Sequence, residues 1–251
     1  MFSQCQRWRH SRASYRPAGE VFNTQRAEVV LLDERTAKDF VCTHHYSRSY
    51  PASRLRAGVV VKPAFQKEYL GGVAVFSVPM TQRVIPATLD LPPAQGVELG
   101  RFALLDSLEA NAETWFLARA FKLLRASLPE VKGVVAYCDP VERASEAGVL
   151  VKRGHTGTIY RAHNASYRGQ GSRRTLWLMP NGQAVSERAL TKLRTEDVGR
   201  EYAERQLRDQ GAPARAIGET PSLWLQRLRS EGFLRPLAHP GNHRFVWRLR
   251  S

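Results

Sequence analysis

Long hydrophobic runs are missing from this sequence of 251 residues, in which unbroken apolar stretches extend over only a few residues. A membrane-spanning helix needs about 20 consecutive, mostly apolar residues, so we expect a soluble protein. The first twenty residues are basic and lack the apolar segment of a secretory signal, which predicts a cytoplasmic location. The apolar fraction of 43% nevertheless supplies enough side chains for a folded core and excludes a wholly disordered chain.

Cysteine is also scarce. Cys5, Cys42 and Cys138 are odd in number and widely spaced, and no CxxC motif is present. This pattern excludes a disulfide framework and a zinc ribbon, and it predicts reduced thiols. A cluster of Cys42, His44 and His45 lacks any standard ligand spacing, so we predict no metal site there.

Acidic residues are few compared with basic ones, 23 against 38, which gives a formal net charge of +15. From residue 151 to 185 there is no carboxylate at all. This stretch interleaves aromatic residues with cations, a composition typical of nucleic-acid contact, although a solubilising surface remains the alternative. The candidate nucleic-acid-binding residues in it are Tyr160, Arg161, Arg168, Arg173 and Arg174.

Hydrophobic periodicity predicts an α/β fold. Strands are expected at 27–32, 58–62, 69–79, 97–105 and 131–138, and helices after Asp33, over 112–128 and from Asp139-Pro140. The strand 97–105, the helix and the strand 131–138 form a β-α-β unit, so Arg101 and Asp139 fall near the carboxyl ends of neighbouring strands, where ligands bind in open sheets.

The sequence suggests three segments. Residues 1–26 form a basic N-terminal arm, 27–185 a catalytic core and 186–251 an extension of two helices and a β-hairpin. In the extension Thr220-Pro221 begins a helix, and strands 233–238 and 243–249 flank the turn at 239–242. This order also suits a winged helix that reads DNA, or a second lobe that completes the main sheet.

The segment after the first helix concentrates polar function. His45 and Tyr46 are candidates for proton transfer or base stacking, whereas Arg48 and Arg54 are candidate anion clamps. Ordinary hydrogen bonding within a loop would place the same residues there.

Two further residues are candidates for the active site. Arg101 interrupts an apolar strand, so it either belongs to a structural ion pair or anchors an anionic or planar substrate. Asp139 could accept a hydrogen bond from an exocyclic amine, or it could cap the next helix.

Six motifs together resemble the Mom family of bacteriophage proteins, a divergent branch of the GNAT acetyltransferase-like superfamily. They are HHYSR at 44–48, ELGRFAL at 98–104, NAETWFLARA at 111–120, AYCDP at 136–140, KRGHTGTIY at 152–160 and HPGNHRFVW at 239–247. The resemblance implies a GNAT-like mixed β-sheet flanked by helices. It also implies an enzyme that converts adenine in double-stranded DNA to N6-carbamoylmethyladenine and so protects phage DNA from host restriction, with His45, Tyr46, Arg101 and Asp139 as its active site.

One departure from the superfamily affects the cofactor. Acetyl-CoA enzymes of this kind hold the pyrophosphate on a glycine-rich turn before a helix, but here that stretch reads DSLEANAETW. It has no glycine and three acids, so the group donor is left open. The resemblance also implies an iron requirement, yet the sequence contains no evident facial triad of two histidines and a carboxylate.

Two other functions remain open at this stage. The chain could be an acetyl-CoA-dependent N-acetyltransferase of another amine, or a non-catalytic DNA-binding regulator that uses the C-terminal segment as a winged helix. The oligomeric state also stays open, a homodimer included.

Overall fold

The computed structural model describes residues 2–9, 12–17, 21–109 and 111–249, with side chains described from residue 21 onward. Within these ranges the strands are β1 (Phe2–Arg9), β2 (Arg12–Pro17), β3 (Ala27–Leu31), β4 (Ser53–Val61), β5 (Tyr69–Ser77), β6 (Gly96–Leu104), β7 (Gly133–Cys138), β8 (Arg143–Ala144), β9 (Leu150–Lys152), β10 (Ser166–Gln170), β11 (Arg174–Leu178), β12 (Arg235–His239) and β13 (His243–Arg248). The helices are α1 (Glu34–His44), α2 (Val84–Leu89), α3 (Ala112–Ser127), α4 (Thr158–Ala162), α5 (Glu187–Thr195), α6 (Arg200–Asp209) and α7 (Pro221–Ser230).

The chain divides into two compact units. The first, which we call the sheet unit, consists of Met1–Pro140, His155–Gly171 and Asn242–Ser251. The second, the helical unit, consists of Val141–Gly154 and Ser172–Gly241. The chain therefore leaves the sheet unit twice and returns to it for its last strand.

A seven-stranded sheet with the order β10-β13-β7-β6-β5-β4-β3 forms the centre of the sheet unit. Strands β6 and β7 are parallel, and the other neighbouring pairs are antiparallel. Helix α3 connects β6 with β7, as the β-α-β pattern predicted. The predicted mixed sheet flanked by helices is confirmed. Strands β1 and β2, in the N-terminal arm, form a separate antiparallel pair.

Helices cover both faces of this sheet. Phe116 of α3 is fully buried in the cluster that contains Phe76 of β5. On the opposite face, Val41 of α1 is buried with Val75 of β5. Successive residues of a strand point to opposite faces, so Val75 and Phe76 define the two sides of the sheet. The face that carries Val75 is called the α1 face below.

Local signals explain where helix α1 begins. The Asp33 carboxylate accepts a hydrogen bond of 2.8 Å from the backbone N–H of Thr36, and this contact satisfies one of the free N–H groups of the first turn. The same interaction lowers the pKa of Asp33 below its ordinary value. The helix ends at His44, so His45 and the irregular segment 45–52 follow at the end of α1.

The helical unit has its own core around Trp224, whose ring is fully buried with Leu190, Leu193 and Leu228. Helix α7 begins at Pro221 behind the N-cap Thr220, as predicted. Antiparallel strands β11 and β12 belong to the same unit.

Two sequence-based expectations were wrong. No helix begins at Asp139, because residues 139–142 are irregular and lead into the short strand β8. The two C-terminal strands do not form a hairpin: β12 pairs with β11, whereas β13 enters the main sheet between β7 and β10. The wing that a winged helix would require from 233–249 is therefore not formed.

Two further expectations concern the basic arm and membrane-spanning helices. Four of the arginines in the basic arm 1–26, at positions 7, 9, 12 and 16, have side chains outside the described residues. No helix in the described part of the chain is both long and apolar enough to span a membrane.

Candidate active site

His45 is held at the end of α1 by a local turn. Its backbone N–H donates to the Val41 carbonyl, and its own carbonyl accepts from the N–H of Arg48 at 3.0 Å. The ring atom Nδ1 accepts a hydrogen bond of 3.2 Å from the backbone N–H of Ser47 and lies 2.8 Å from the Ser47 Oγ. Because a backbone N–H can only donate, Nδ1 carries no proton, and the neutral ring must carry its proton on Nε2.

The electrostatic surroundings of His45 also favour the neutral ring. Burial, followed by the positive charge of Arg101 and an interaction with His155, lowers the pKa of His45 from 6.5 to about 3. At neutral pH the His45 ring is therefore a hydrogen-bond donor through Nε2, and it is a poor proton acceptor.

Tyr46 and Arg48 are on the exposed side of this turn. The Tyr46 side chain is 41% exposed, and its ring centroid lies 4.3 Å from that of His45. Arg48 is exposed and has a φ of 45°, in the left-handed region that non-glycine residues rarely adopt. The turn thus presents an aromatic ring and a cation beside the His45 imidazole.

Arg101 anchors the segment that follows His45. Its Nε donates to the Ser49 carbonyl at 2.8 Å, one Nη donates to the Ser49 Oγ at 2.7 Å, and the other donates to the Gly100 carbonyl. Burial lowers the pKa of Arg101, while Tyr46, Glu98 and Cys42 act in the opposite direction. These contacts differ from a structural ion pair, and they use only part of the five N–H donors of a guanidinium group.

A β-bulge in β6 decides where Arg101 points. Ser77 pairs with Glu98 and Val75 pairs with Arg101, so one residue separates the partners on β5 but two separate them on β6. Gly100 is the additional residue, and its unpaired position shifts the alternation of side chains. Glu98 and Arg101 consequently both project from the α1 face, where a regular strand would place them on opposite faces.

Glu98 is a site residue that sequence reasoning missed. Burial raises its pKa from 4.5 to about 7, and the charge of Arg101 only partly offsets this effect. The signal was present in the sequence as a carboxylate flanked by the apolar residues Val97 and Leu99 in a strand. A carboxylate in such a position is costly to bury unless it has a partner or a function.

The sheet separates at this point. Strands β6 and β7 pair at Gly96–Gly133, Val97–Val134 and Glu98–Val135, but β6 then continues with β5, and β7 continues with β13. The two parallel strands therefore diverge after Glu98. Glu98 and Arg101 lie on β6 at one side of the divergence, and the end of β7 lies at the other side. Carboxyl ends of parallel strands that separate in this way are common positions for ligand sites.

Asp139 immediately follows β7 on this edge. Its carbonyl accepts a hydrogen bond of 2.8 Å from the backbone N–H of His155, and the residue is half-buried. Asp139 does not cap a helix, so that alternative to a functional role is removed. Cys138 beside it has a buried, reduced thiol in the apolar core.

Tyr160 lies in an aromatic cluster inside the core. Its side chain is only 7% exposed, and its ring packs against Phe245, Trp247 and His155. Burial raises the pKa of Tyr160 well above 10, with smaller contributions from Cys138, Tyr46 and Glu98. Tyr160 is therefore a buried packing residue of this cluster. The exposed Tyr46 ring is better placed to stack on a base.

The candidate cations differ in their surroundings. Arg54 donates to the Glu130 carboxylate at 2.8 Å and to the carbonyls of Ala94 and Gly96, so its guanidinium group is bound within the sheet unit. Arg161 is exposed and lies 5.1 Å from the centre of the Tyr167 ring. Arg168 is exposed on β10, one of the two edge strands of the seven-stranded sheet. Arg173 and Arg174 are exposed residues of the helical unit.

The residues present do not fit the two cofactors that the sequence raised. Before α3, the N–H groups of Leu108 and Ala112 already donate to backbone carbonyls, and Asp106, Glu109 and Glu113 add negative charge, which opposes binding of the pyrophosphate of acetyl-CoA. Among the residues that the structure describes, no three His, Cys, Asp or Glu side chains form a group that could hold a metal ion.

Comparison with known proteins assigns most of the chain to a family. A protein-family model described as the Mom protein family matches residues 26–218. This range begins one residue before β3 and extends into the helical unit. No curated protein matches the sequence.

Proposed function

This chain belongs to the Mom protein family, and from that membership we propose that it is a phage DNA-modifying enzyme that converts adenine in double-stranded DNA to N6-carbamoylmethyladenine. The modification would hide restriction sites from host endonucleases. The observation that carries the proposal is the convergence of His45, Arg101 and Glu98 beside the separation of β6 and β7, in a protein with a net charge of +15.

DNA binding is assigned first to the exposed cations of the sheet unit. Arg161 and Arg168 lie in a stretch without carboxylates, and β10 is an edge strand with exposed side chains. Each cation that neutralises a phosphate releases counterions, which provides affinity without sequence readout. Arg48, next to the His45 turn, is suited to hold a phosphate close to the reacting base.

The target base must leave the duplex before it can react, because its N6 amine is paired there. Extrusion costs a few kcal/mol, which the phosphate contacts of a strongly basic protein can offset. The exposed Tyr46 ring can stack on the extruded base. The Nε2–H of His45 can donate to a ring nitrogen of the purine. The low pKa of His45 is compatible with this role, because the neutral ring already carries a proton on Nε2.

The chemical step must activate a weak nucleophile, since the N6 lone pair is delocalised into the ring. We assign Asp139 to accept a hydrogen bond from the amine and orient it. The N6 nitrogen then attacks the methylene carbon of a donor that carries a carbamoylmethyl group on a leaving group. The N–C bond forms as the bond to the leaving group breaks, the leaving group departs with its electron pair, and one N6 proton passes to the protein.

Arg101 has two roles in this scheme. Its bonds to Ser49 fix the segment that carries His45 and Tyr46, and its remaining N–H groups are suited to hold the polar end of the donor. The donor is defined by chemical class alone.

Mass spectrometry of nucleosides tests the proposal directly. DNA from cells that express the wild-type protein should contain deoxyadenosine with a mass gain of about 57 Da, the value for replacement of one hydrogen on an extruded base by a carbamoylmethyl group. The Asp139→Asn variant should lose the modified nucleoside but still bind DNA. Asp90→Asn, the same change at an exposed residue, is the control and should modify DNA normally. Unmodified adenine with the wild-type protein would refute the proposal.

A further inference from the structure

Glu98 lies at the site but takes no part in the steps assigned to Asp139 and Arg101. It is half-buried on β6, and the bulge at Gly100 brings it to the same face as Arg101. It is also the last residue of β6 that pairs with β7, so its side chain lies at the point where the two strands separate. The pairing of Glu98 with Val135 places it beside β7, the strand that leads to Asp139.

The groups around Glu98 leave its carboxylate able to gain or lose a proton. In the described part of the chain it forms no ion pair, and Arg101, whose N–H groups bond to Ser49 and Gly100, is the cation that acts on it. The phenols of Tyr137 and Tyr160 also interact with it, and burial raises the pKa of both phenols, so both stay neutral near pH 7. His45 is neutral as well.

We propose that Glu98 is the catalytic base that accepts the N6 proton when the new N–C bond forms. The inference rests on the proposed function and completes its proton balance: the Glu98 carboxylate becomes a carboxylic acid as the leaving group departs. A general base works best when its pKa is close to the working pH, and the pKa of Glu98, about 7, meets that condition. Asp139 then keeps its charge and orients the amine.

The first experiment removes only the negative charge of the Glu98 side chain. Glu98→Gln preserves size and hydrogen-bonding capacity, and its matched control is Glu28→Gln on the edge strand β3, where Glu28 forms an exposed ion pair with Lys62. Each variant is expressed in cells, and the fraction of modified deoxyadenosine is measured at fixed times after induction. We expect Glu98→Gln to reduce the rate of modification by about 10²–10⁴-fold, the usual contribution of a general base, and Glu28→Gln to leave it unchanged.

Two measurements on the purified proteins separate a catalytic from a structural role. Thermal melting should show that Glu98→Gln is folded, and fluorescence anisotropy with a labelled duplex should give an affinity within about twofold of wild type, because Glu98 contacts the base and not the phosphates. Glu98→Asp should retain more activity than Glu98→Gln, since it keeps a carboxylate. Equal loss in the Asp and Gln variants, or unchanged modification by Glu98→Gln, would overturn the inference.

A third measurement does not depend on activity. Carbon NMR of protein labelled in glutamate, with Glu98→Gln used for assignment, should show a carboxyl group that titrates near pH 7. In Arg101→Gln the same signal should titrate at higher pH, because Arg101 lowers the pKa of Glu98. Titration near 4.5 would refute the proposed base. Failure of the proposed function can be distinguished from failure of the inference about Glu98, because in the first case the wild-type protein would leave adenine unmodified.

Discussion

Glu98 and Arg101 project from the same face of β6 although three positions separate them, because Gly100 is the additional residue of a β-bulge. In a regular strand an odd separation places two side chains on opposite faces. The bulge therefore determines whether the carboxylate and the guanidinium group share one environment. This relationship links the backbone of a single strand to the chemistry of the site.

Gly100→Ala should damage the site through the bulge. A Cβ at this position would lie 2.3 Å from the Oγ of the buried Ser77 and 3.2 Å from Pro51, so either the Ser77 side chain or the backbone of the bulge must shift. We expect a loss of about 1–3 kcal/mol in the free energy of unfolding, together with loss of DNA modification. Urea denaturation measures the first and nucleoside mass spectrometry the second.

Gly171→Ala is the control for that substitution. A Cβ at Gly171 would have its nearest neighbours at 3.7 and 3.8 Å, which is ordinary contact. The free energy of unfolding of the Gly171→Ala variant should stay within about 0.5 kcal/mol of that of the wild-type protein. Equal effects of the two alanines would show that the bulge tolerates a side chain.

Glu98→Gln should change stability in a way that depends on pH. The pKa of Glu98 is about 7 in the folded protein and 4.5 in its ordinary state, so the folded state binds the proton more tightly. The resulting stabilisation is complete below about pH 4.5 and is lost as the pH rises through 7. Glutamine resembles the protonated form at every pH, so the melting temperature of the variant relative to wild type should be higher at pH 8.5 than at pH 4. A constant difference would contradict the raised pKa.

His45 should make the protein sensitive to acid. Its pKa is about 3 in the folded state and 6.5 ordinarily, so only the unfolded chain binds this proton between those values. Stability from this group is present above pH 6.5 and declines as the pH falls toward 3. His45→Asn keeps an acceptor for the Ser47 N–H but does not titrate, so its melting temperature should fall less than that of wild type between pH 6.5 and 4.5. Parallel curves for the two proteins would exclude His45 as the cause.

Removal of the cations near β10 should weaken DNA binding through phosphate contacts. For the double variant Arg161→Gln, Arg168→Gln, the slope of log K against log salt should decrease by about 2, since each lost phosphate contact contributes about 0.9. Lys62→Gln removes a charge that Glu28 already pairs at 2.9 Å, and its slope should equal that of wild type. An unchanged slope in the double variant would place the DNA elsewhere on the molecule.

Local signals predicted most elements of the sheet unit. The capping residue Asp33 and the apolar stripe of α3 depend on residues within a few positions, and both were found as expected. Asp139-Pro140 has an equally good helix-start signal, but the chain there enters the helical unit and forms β8. Long-range contacts overrode the local preference.

Pairing between distant strands could not be predicted from the sequence. The turn at 239–242 suggested a hairpin, yet β13 pairs with β7 in a register that aligns Phe245 with Ala136. The bulge at Gly100 likewise depends on β5, which lies in another part of the sequence. For this reason Arg101 was recognised as a candidate from the sequence alone, whereas its relation to Glu98 was not.

The position of β13 has a consequence for synthesis of the protein. This strand comes last in the chain but lies between β7 and β10, and β10 has no other partner in the sheet. While the ribosome is still translating the preceding residues, β7 presents an open edge and β10 cannot be added. A polypeptide truncated before β13 would therefore lack the finished sheet, so the DNA modification proposed for this protein should require residues 243–248.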